Sequence, residues 1–194
     1  MKVSREQAAE NREKIITAAS KLFREKGFDG IGVADLMRTV GLTHGGFYGH
    51  FESKDDLIAQ ACTRSVDDLL AKGEARRNIE GGDPIKAFLE NYLSVAHRDN
   101  PGDGCLMAAL GAEVPRQSPR VKNAFTRNAK RLWAAFTQLM EANRDPEQAR
   151  QQALVTLATL VGAQVIARAV DDEAISREVL ALVLLHVSDS ISGN

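Results

Sequence analysis

The sequence predicts an all-α protein: an N-terminal three-helix unit with a helix-turn-helix, joined by a long helix to a larger helical body. Three observations predict it. Apolar residues recur at three- and four-residue intervals in segment after segment, and no stretch alternates as a strand would. Helix-opening pairs repeat: Asp83-Pro84, Ser118-Pro119 and Asp145-Pro146 each set a capping residue before a proline at the first helical position. Aromatic residues make up only 5% of the 194-residue chain, whereas Ala and Leu are abundant, a balance that favours helices over sheets. An apolar fraction of 44% is enough for a real core.

Taken in order, Ser4 and Gln7 form a capping box that opens a helix, and Gly27 stops it after Lys26. Ile15, Ala19, Leu22 and Phe23 form its inner face. Lys2 and Arg5 make either a basic arm or a solvated tail. A short second helix follows, with Val33, Leu36, Met37 and Val40 on one face. Gly41 supplies the left-handed residue that ends it, Leu42 plugs the corner, and Thr43 caps what comes next.

That next helix, Thr43 to Phe51, carries Gly45, Gly46 and Gly49, each costing about 1 kcal/mol relative to Ala in a helix interior. Its neighbours must therefore hold it, with Phe47 and Phe51 as anchors. The other side offers His44, Tyr48 and His50 beside bare glycine backbone, a surface suited to close approach to a flat, charged partner such as DNA. Ser53 and Asp56 form a second capping box. Lys54 in that first turn opposes the helix dipole, so it answers to another need, such as a phosphate.

The run GLTHGGFYGHFESKDDL, and above all Tyr48, His50-Phe51, Lys54 and Leu57, resembles the signature of the TetR family of transcriptional regulators. The motif spans Ile31 to Leu57. The resemblance implies a DNA-binding head over residues 1–52 and a ligand-binding and dimerisation body over 53–194. It implies a homodimer that binds a palindromic double-stranded DNA operator and represses until a small-molecule effector alters the spacing of its heads. The long helix from Ser53 to Lys72 would be the lever. An N-terminus with no hydrophobic signal region and two cysteines that form no disulfide framework lead us to expect a cytoplasmic protein. The expected DNA-binding residues are Thr43, His44, Gly45, Gly46, Tyr48, His50 and Lys54. Relatives usually carry Ser or Thr near positions 31–33; Ile31-Gly32-Val33 offers only backbone N–H groups there.

A loop from Gly73 to Asp83 should precede the body helix bearing Ile85, Phe88, Leu89, Tyr92, Leu93 and Ala96 on one face. After the turn at Asn100–Gly104, a helix from Cys105 to Val114 ends at Pro115. The helix opened by Ser118-Pro119 faces Val121, Phe125, Leu132 and Phe136 inward. The helix opened by Asp145-Pro146 runs to about Val170. The last one, Asp172 to Ile191, contains VLALVLLHV, apolar on nearly every side, which asks for a partner. Pairing of the last two helices with their copies would place Val183 and Val187 at a homodimer contact.

Phe88, Tyr92, Cys105, Met107, Phe125, Trp133 and Gln164 come from separate body helices and form the expected ligand-binding set, either lining one cavity or packing as ordinary core. Such a chamber suits a small hydrophobic, aromatic or electrophilic effector. Cys105, after Gly104 at a helix start, is either a reactive thiol or a small buried residue. His97, Arg98, Asp99 and Asp103 read as a polar helix end.

The sequence has no phosphate-binding loop, no dinucleotide fingerprint, no metalloprotease motif and no nucleophile elbow, so neither an enzyme nor a cofactor or metal is expected. No apolar run approaches the roughly 18 residues of a membrane span. Net charge is −1, and the segment from Met1 to Lys54 carries nine basic against seven acidic residues. A broad basic field is absent, so DNA affinity must come from a few placed contacts and from symmetry. The other class open to the sequence is a helical small-molecule-binding or enzymatic protein whose head does not bind DNA.

Overall fold

The computed structural model describes residues 4–77, 83–141 and 145–192. Among them there is no strand. Lys2 and the Glu80-Gly81-Gly82 part of the expected loop lie outside the described residues.

The head is α1 (Arg5–Lys26), α2 (Val33–Thr39) and a 3-10 segment, His44–Gly49. Ser4 caps α1 through its hydroxyl, which accepts from the Gln7 N–H at 3.1 Å, and Gly27 ends it at φ 80°. Gly41 closes α2 at φ 74°, and the Leu42 N–H bonds back to the Met37 carbonyl at 2.9 Å. The segment after Thr43 was expected as an α-helix. Its bonds run instead at three-residue spacing, Gly46 N–H to Thr43 O and His50 N–H to Phe47 O, because three glycines leave little side-chain packing to favour the wider helix. Thr43 stands at the capping position, yet its hydroxyl makes no capping bond.

Helix α3 (Lys54–Arg77) runs on past Gly73 rather than ending at Lys72. It packs along α1 and along α7 (Pro119–Met140). The single helix expected from Pro84 to Ala96 is broken in two, α4 (Pro84–Tyr92) and α5 (Val95–Asp99). Ser94 makes the break: its hydroxyl accepts from the His97 N–H at 3.1 Å and so begins a new helix. A 3-10 turn, Pro101–Asp103, leads to α6 (Leu106–Leu110), five residues rather than the ten expected, since Gly111 and Pro115 interrupt it. Helices α8 (Pro146–Ala169) and α9 (Glu173–Ser192) close the body. By length and composition α8 could cross a membrane, with a mean hydropathy of 1.3, but Leu157, Leu160, Ala163 and Ala167 are buried in the body core.

The apolar interior has two parts. One joins Ile15, Phe23, Leu36, Met37, Phe47 and Phe51 of the head to Leu57, Ile58 and Val66 of α3 and to Leu106, Leu110 and Val121 beyond. Packing thus continues across the expected boundary at residue 52. The other gathers Leu89, Tyr92, Phe136, Leu157, Leu160, Leu180 and Val187.

Candidate functional site

Two surfaces concentrate chemistry. The first is the tip of the head. Phe47 and Phe51 are buried, their ring centroids 5.4 Å apart, and hold the 3-10 segment from behind. Tyr48 points away, 67% exposed, edge-on to Phe47 at 5.3 Å and to His44 at 6.2 Å. Thr43 and His44 are exposed, and His50 and Lys54 half-buried. No side chain of Thr43, His44, Tyr48, His50 or Lys54 makes a hydrogen bond or ion pair with the described residues. A Cβ on Gly45 or Gly49 would meet nothing within 4 Å, and one on Gly46 would make only ordinary contacts, Thr43 Oγ1 at 3.6 Å and Met37 Cε at 3.8 Å. Packing within the chain therefore does not require these glycines. Bare backbone at these positions leaves room for another molecule to come close.

Just behind Lys54, α7 grips the head. Arg120 bonds to Glu52 at 2.7 Å and to the buried Asp56 at 2.5 Å. Asp56 also accepts from the Glu52 N–H at 3.2 Å and from Gln60 at 3.0 Å, which fixes the corner between the 3-10 segment and α3. Gly32 caps α2 with backbone alone, as expected from Ile31-Gly32-Val33.

The second surface is a partly open cavity of about 370 Å³ in the body, lined by α3, α4, α5, the turn before α6, and α7, with Met107 of α6 and Leu157 of α8. Of the residues expected at a ligand site, Phe88, Tyr92, Cys105 and Met107 line it. Phe125, Trp133 and Gln164 do not. Phe125 packs on the head-side core and Trp133 on the body core; Gln164 is fully buried, with its amide nitrogen donating to the Tyr92 carbonyl. The apolar end is built by Leu69, Leu70, Phe88, Leu132, Phe136 and Leu139, with the Phe88 and Phe136 rings 5.1 Å apart. The cavity's polar lining includes Tyr92, His97, Asn100 and Cys105, with Lys72, Asp83, Asn91 and Asp103 beside them in the wall.

His97, read from the sequence as part of a polar helix end, is a principal strut of this site. Its Nδ1–H donates to the Tyr92 carbonyl at 2.6 Å, and its Nε2 accepts the Cys105 N–H at 3.0 Å. This pattern needs the neutral ring, and burial above all holds its pKa below the usual histidine value. A Cβ on Gly104 would fall 2.6 Å from His97 Nε2, so the residue before Cys105 has to be glycine. The adjacency of Gly104-Cys105 to His97 was the available signal, hidden by a turn of unknown geometry.

The Tyr92 hydroxyl lies near the Cys105 sulfur without making a hydrogen bond and is buried with no partner among the described residues. Burial first, and then Cys105, pushes its pKa well above the usual phenol value, so it is a neutral donor. Cys105 is itself buried, at the start of a helix too short to build much dipole. Burial pushes the other thiol, Cys62, up to about 12, which leaves it unreactive near neutral pH.

Comparison with known proteins agrees with this layout. The family model described as bacterial regulatory proteins, tetR family, matches residues 15–61. The model described as the transcriptional regulator LmrA/YxaF-like C-terminal domain matches residues 82–180, more than half of the chain. The HTH-type transcriptional repressor NemR of Escherichia coli (strain K12) is 28% identical over 198 residues, covering 94% of each chain. The repressor DhaR of Mycobacterium sp. (strain GP1) is 26% identical over 116 residues, 60% of this chain and 58% of that one. Among solved structures, the reduced form of E. coli NemR superposes with a TM-score of 0.77 at 26% identity, covering 93% of this chain and 96% of that one. A TetR family regulator from Agrobacterium tumefaciens shares the fold, with a TM-score of 0.75 at 21% identity over 92% of this chain and 98% of that one. With a helix-turn-helix head, a helical body and a matching family model over each, the chain belongs to the TetR family and is a DNA-binding transcriptional regulator.

Proposed function

We propose that the chain is a homodimeric repressor released from a palindromic operator when a small, largely apolar or electrophilic effector fills the body cavity. It acts in the cytoplasm, where its DNA is. Thr43, His44, Gly45, Gly46, Tyr48, His50 and Lys54 form the DNA surface, with Tyr48, His50 and Lys54 on phosphates and His44 toward base edges. The single observation that carries the effector reading is the cavity itself, with aromatic and aliphatic walls and one buried phenol that has no partner within the described residues. Tyr92 would donate to a polar atom of the effector. Cys105 beside it could capture an electrophile. The relatives named as repressors support the sign of regulation, and the described NemR structure is a reduced form, which fits a thiol that matters.

The test begins by selecting duplexes from a random-sequence library and measuring affinity against salt. A steep fall with salt is expected; no binding even at low salt would favour a helical ligand-binding protein without DNA function. Small aromatics are then screened for release of the selected duplex. Tyr92→Phe should weaken the best of them by roughly tenfold, the worth of a buried hydrogen bond, without lowering the stability of the ligand-free protein. Rapid thiol modification of Cys105 with loss of DNA binding marks covalent sensing, whereas slow labelling and a Cys105→Ser variant that still responds mark a reversible pocket.

A further inference from the structure

The turn Asn100–Cys105 is a wall with two working faces. Its inner face lines the cavity through Asn100, Asp103, Gly104 and Cys105. Its outer face is the footing of α1, the first helix of the head. Arg24 donates from Nε to the Gly102 carbonyl at 2.9 Å and again from a second nitrogen. The same guanidinium donates to Ser20 at 2.8 Å and to Ser65 of α3. Lys21 pairs with Asp103 at 3.3 Å. The two are in close contact. A Cβ on Gly102 would fall 2.4 Å from a Glu25 carboxylate oxygen and 2.7 Å from Glu25 Cγ.

On the cavity side the wall is equally tight. His97 receives the Cys105 N–H and stands where a Gly104 Cβ would be, while its other nitrogen is tied to the Tyr92 carbonyl. A group entering beside Tyr92 and Cys105 cannot push this wall without pushing α1, because both sides are in contact and interiors pack without compressible space.

We propose that Arg24 is the positioning residue that carries effector occupancy from the cavity to the DNA-binding head, through the Pro101–Asp103 turn and α1, with the Lys21–Asp103 pair as a second strand of the link. This rests on the reading of the cavity as the effector site. It goes beyond a simple lever through α3. That helix also touches the cavity at Leu69 and Leu70, but α1 and α7 hold it along its length. Arg24 joins the turn to the head directly, and through Ser65 it ties α3 to the same point.

The test separates occupancy from response. Benzyl methanethiosulfonate on the full-length protein places a benzyl group on Cys105 as a mixed disulfide. Methanesulfinate leaves, and a thiol reductant reverses the change; peptide mass mapping gives the extent. Affinity for the selected duplex is measured before and after modification in wild type, Arg24→Gln and the surface variant Lys21→Ala, which breaks the pair with Asp103 and leaves the cavity lining intact. Wild type is expected to lose affinity by a factor within the 5- to 150-fold range common for allosteric coupling. Arg24→Gln, labelled to the same extent, should keep its unmodified affinity within a fewfold and lose little on modification. The surface variant should lie between the two. If Arg24→Gln does not fold, the surface variant decides alone, and a response equal to that of wild type overturns the proposal. A full response in a folded Arg24→Gln overturns it too, while leaving the cavity reading intact. If wild type is fully modified and binds DNA as before, the cavity reading falls and the proposal with it. Exchange of the α1 amides near Lys21 and Arg24 should rise on modification in wild type and stay flat in Arg24→Gln.

Discussion

At the scale of single residues, the head holds several that its own fold does not explain. Gly45 and Gly49 touch nothing that a methyl group would disturb, and Lys54 sits in the first turn of α3 with no partner among the described residues. A cation there opposes the helix dipole, so Lys54→Ala should leave stability unchanged or raise it by about 0.3–1 kcal/mol. The same change should weaken binding to every DNA sequence and reduce the slope of log affinity against log salt by about 0.9, the signature of one lost phosphate contact. An unchanged slope in a folded Lys54→Ala protein would remove Lys54 from the DNA surface. These residues were legible in the sequence because each breaks a local rule: glycines in a helix, a lysine at a helix start. Gln164 and Trp133 broke none. Their positions on apolar faces could not tell a cavity wall from filled core, and only packing placed them in the core.

At the scale of elements, the break between α4 and α5 shapes the site and was hidden from the sequence. The apolar spacing from Ile85 to Ala96 continues through it, and Ser94 is a common surface residue as well as a cap. The break swings His97 back so that it bridges the Tyr92 carbonyl and the Cys105 N–H, joining α4 to the start of α6. This joint is pH-dependent. A proton on Nε2 would set two donors against each other, and burial lowers the folded-state pKa. As pH falls through the usual histidine value near 6.5, the unfolded chain takes up a proton that the folded chain refuses, and stability is lost. Above that value the contribution is fully present. Thermal unfolding should therefore show a decline below about pH 6.5 of at most about 1.4 kcal/mol per pH unit for this one proton. His97→Gln should be less stable near neutrality and flatter below it. An equal slope in wild type and variant would assign the pH dependence to other groups.

At the scale of the whole molecule, the exposed large apolar side chains outside the head all belong, among the described residues, to the two packed helices that close the body. They are Val155, Val165 and Ile166 of α8 and Ile175, Leu182 and Leu185 of α9, with Leu182 58% and Leu185 61% exposed. Apolar surface of this kind on two packed helices is what a two-fold four-helix contact uses. That α9 leaves apolar surface outside the body was legible, since VLALVLLHV is apolar on nearly every side. Which side stays outside was not, for the same reason: a helix without a polar face has no readable orientation. Val183 and Val187, expected at the contact, face the protein's own body instead, and Val187 is only 2% exposed. Charge at Val187 should therefore unfold the body, whereas Leu182→Glu with Leu185→Glu should give folded monomers by light scattering at micromolar concentration. Those monomers should bind a palindromic duplex far more weakly, because linked engagement of two half-sites typically adds 10²–10⁴ in affinity, while their affinity for a single half-site stays near that of one wild-type head. A stable dimer with both glutamates in place would move the interface elsewhere, and a wild-type monomer that binds the palindrome at full strength would remove the need for one.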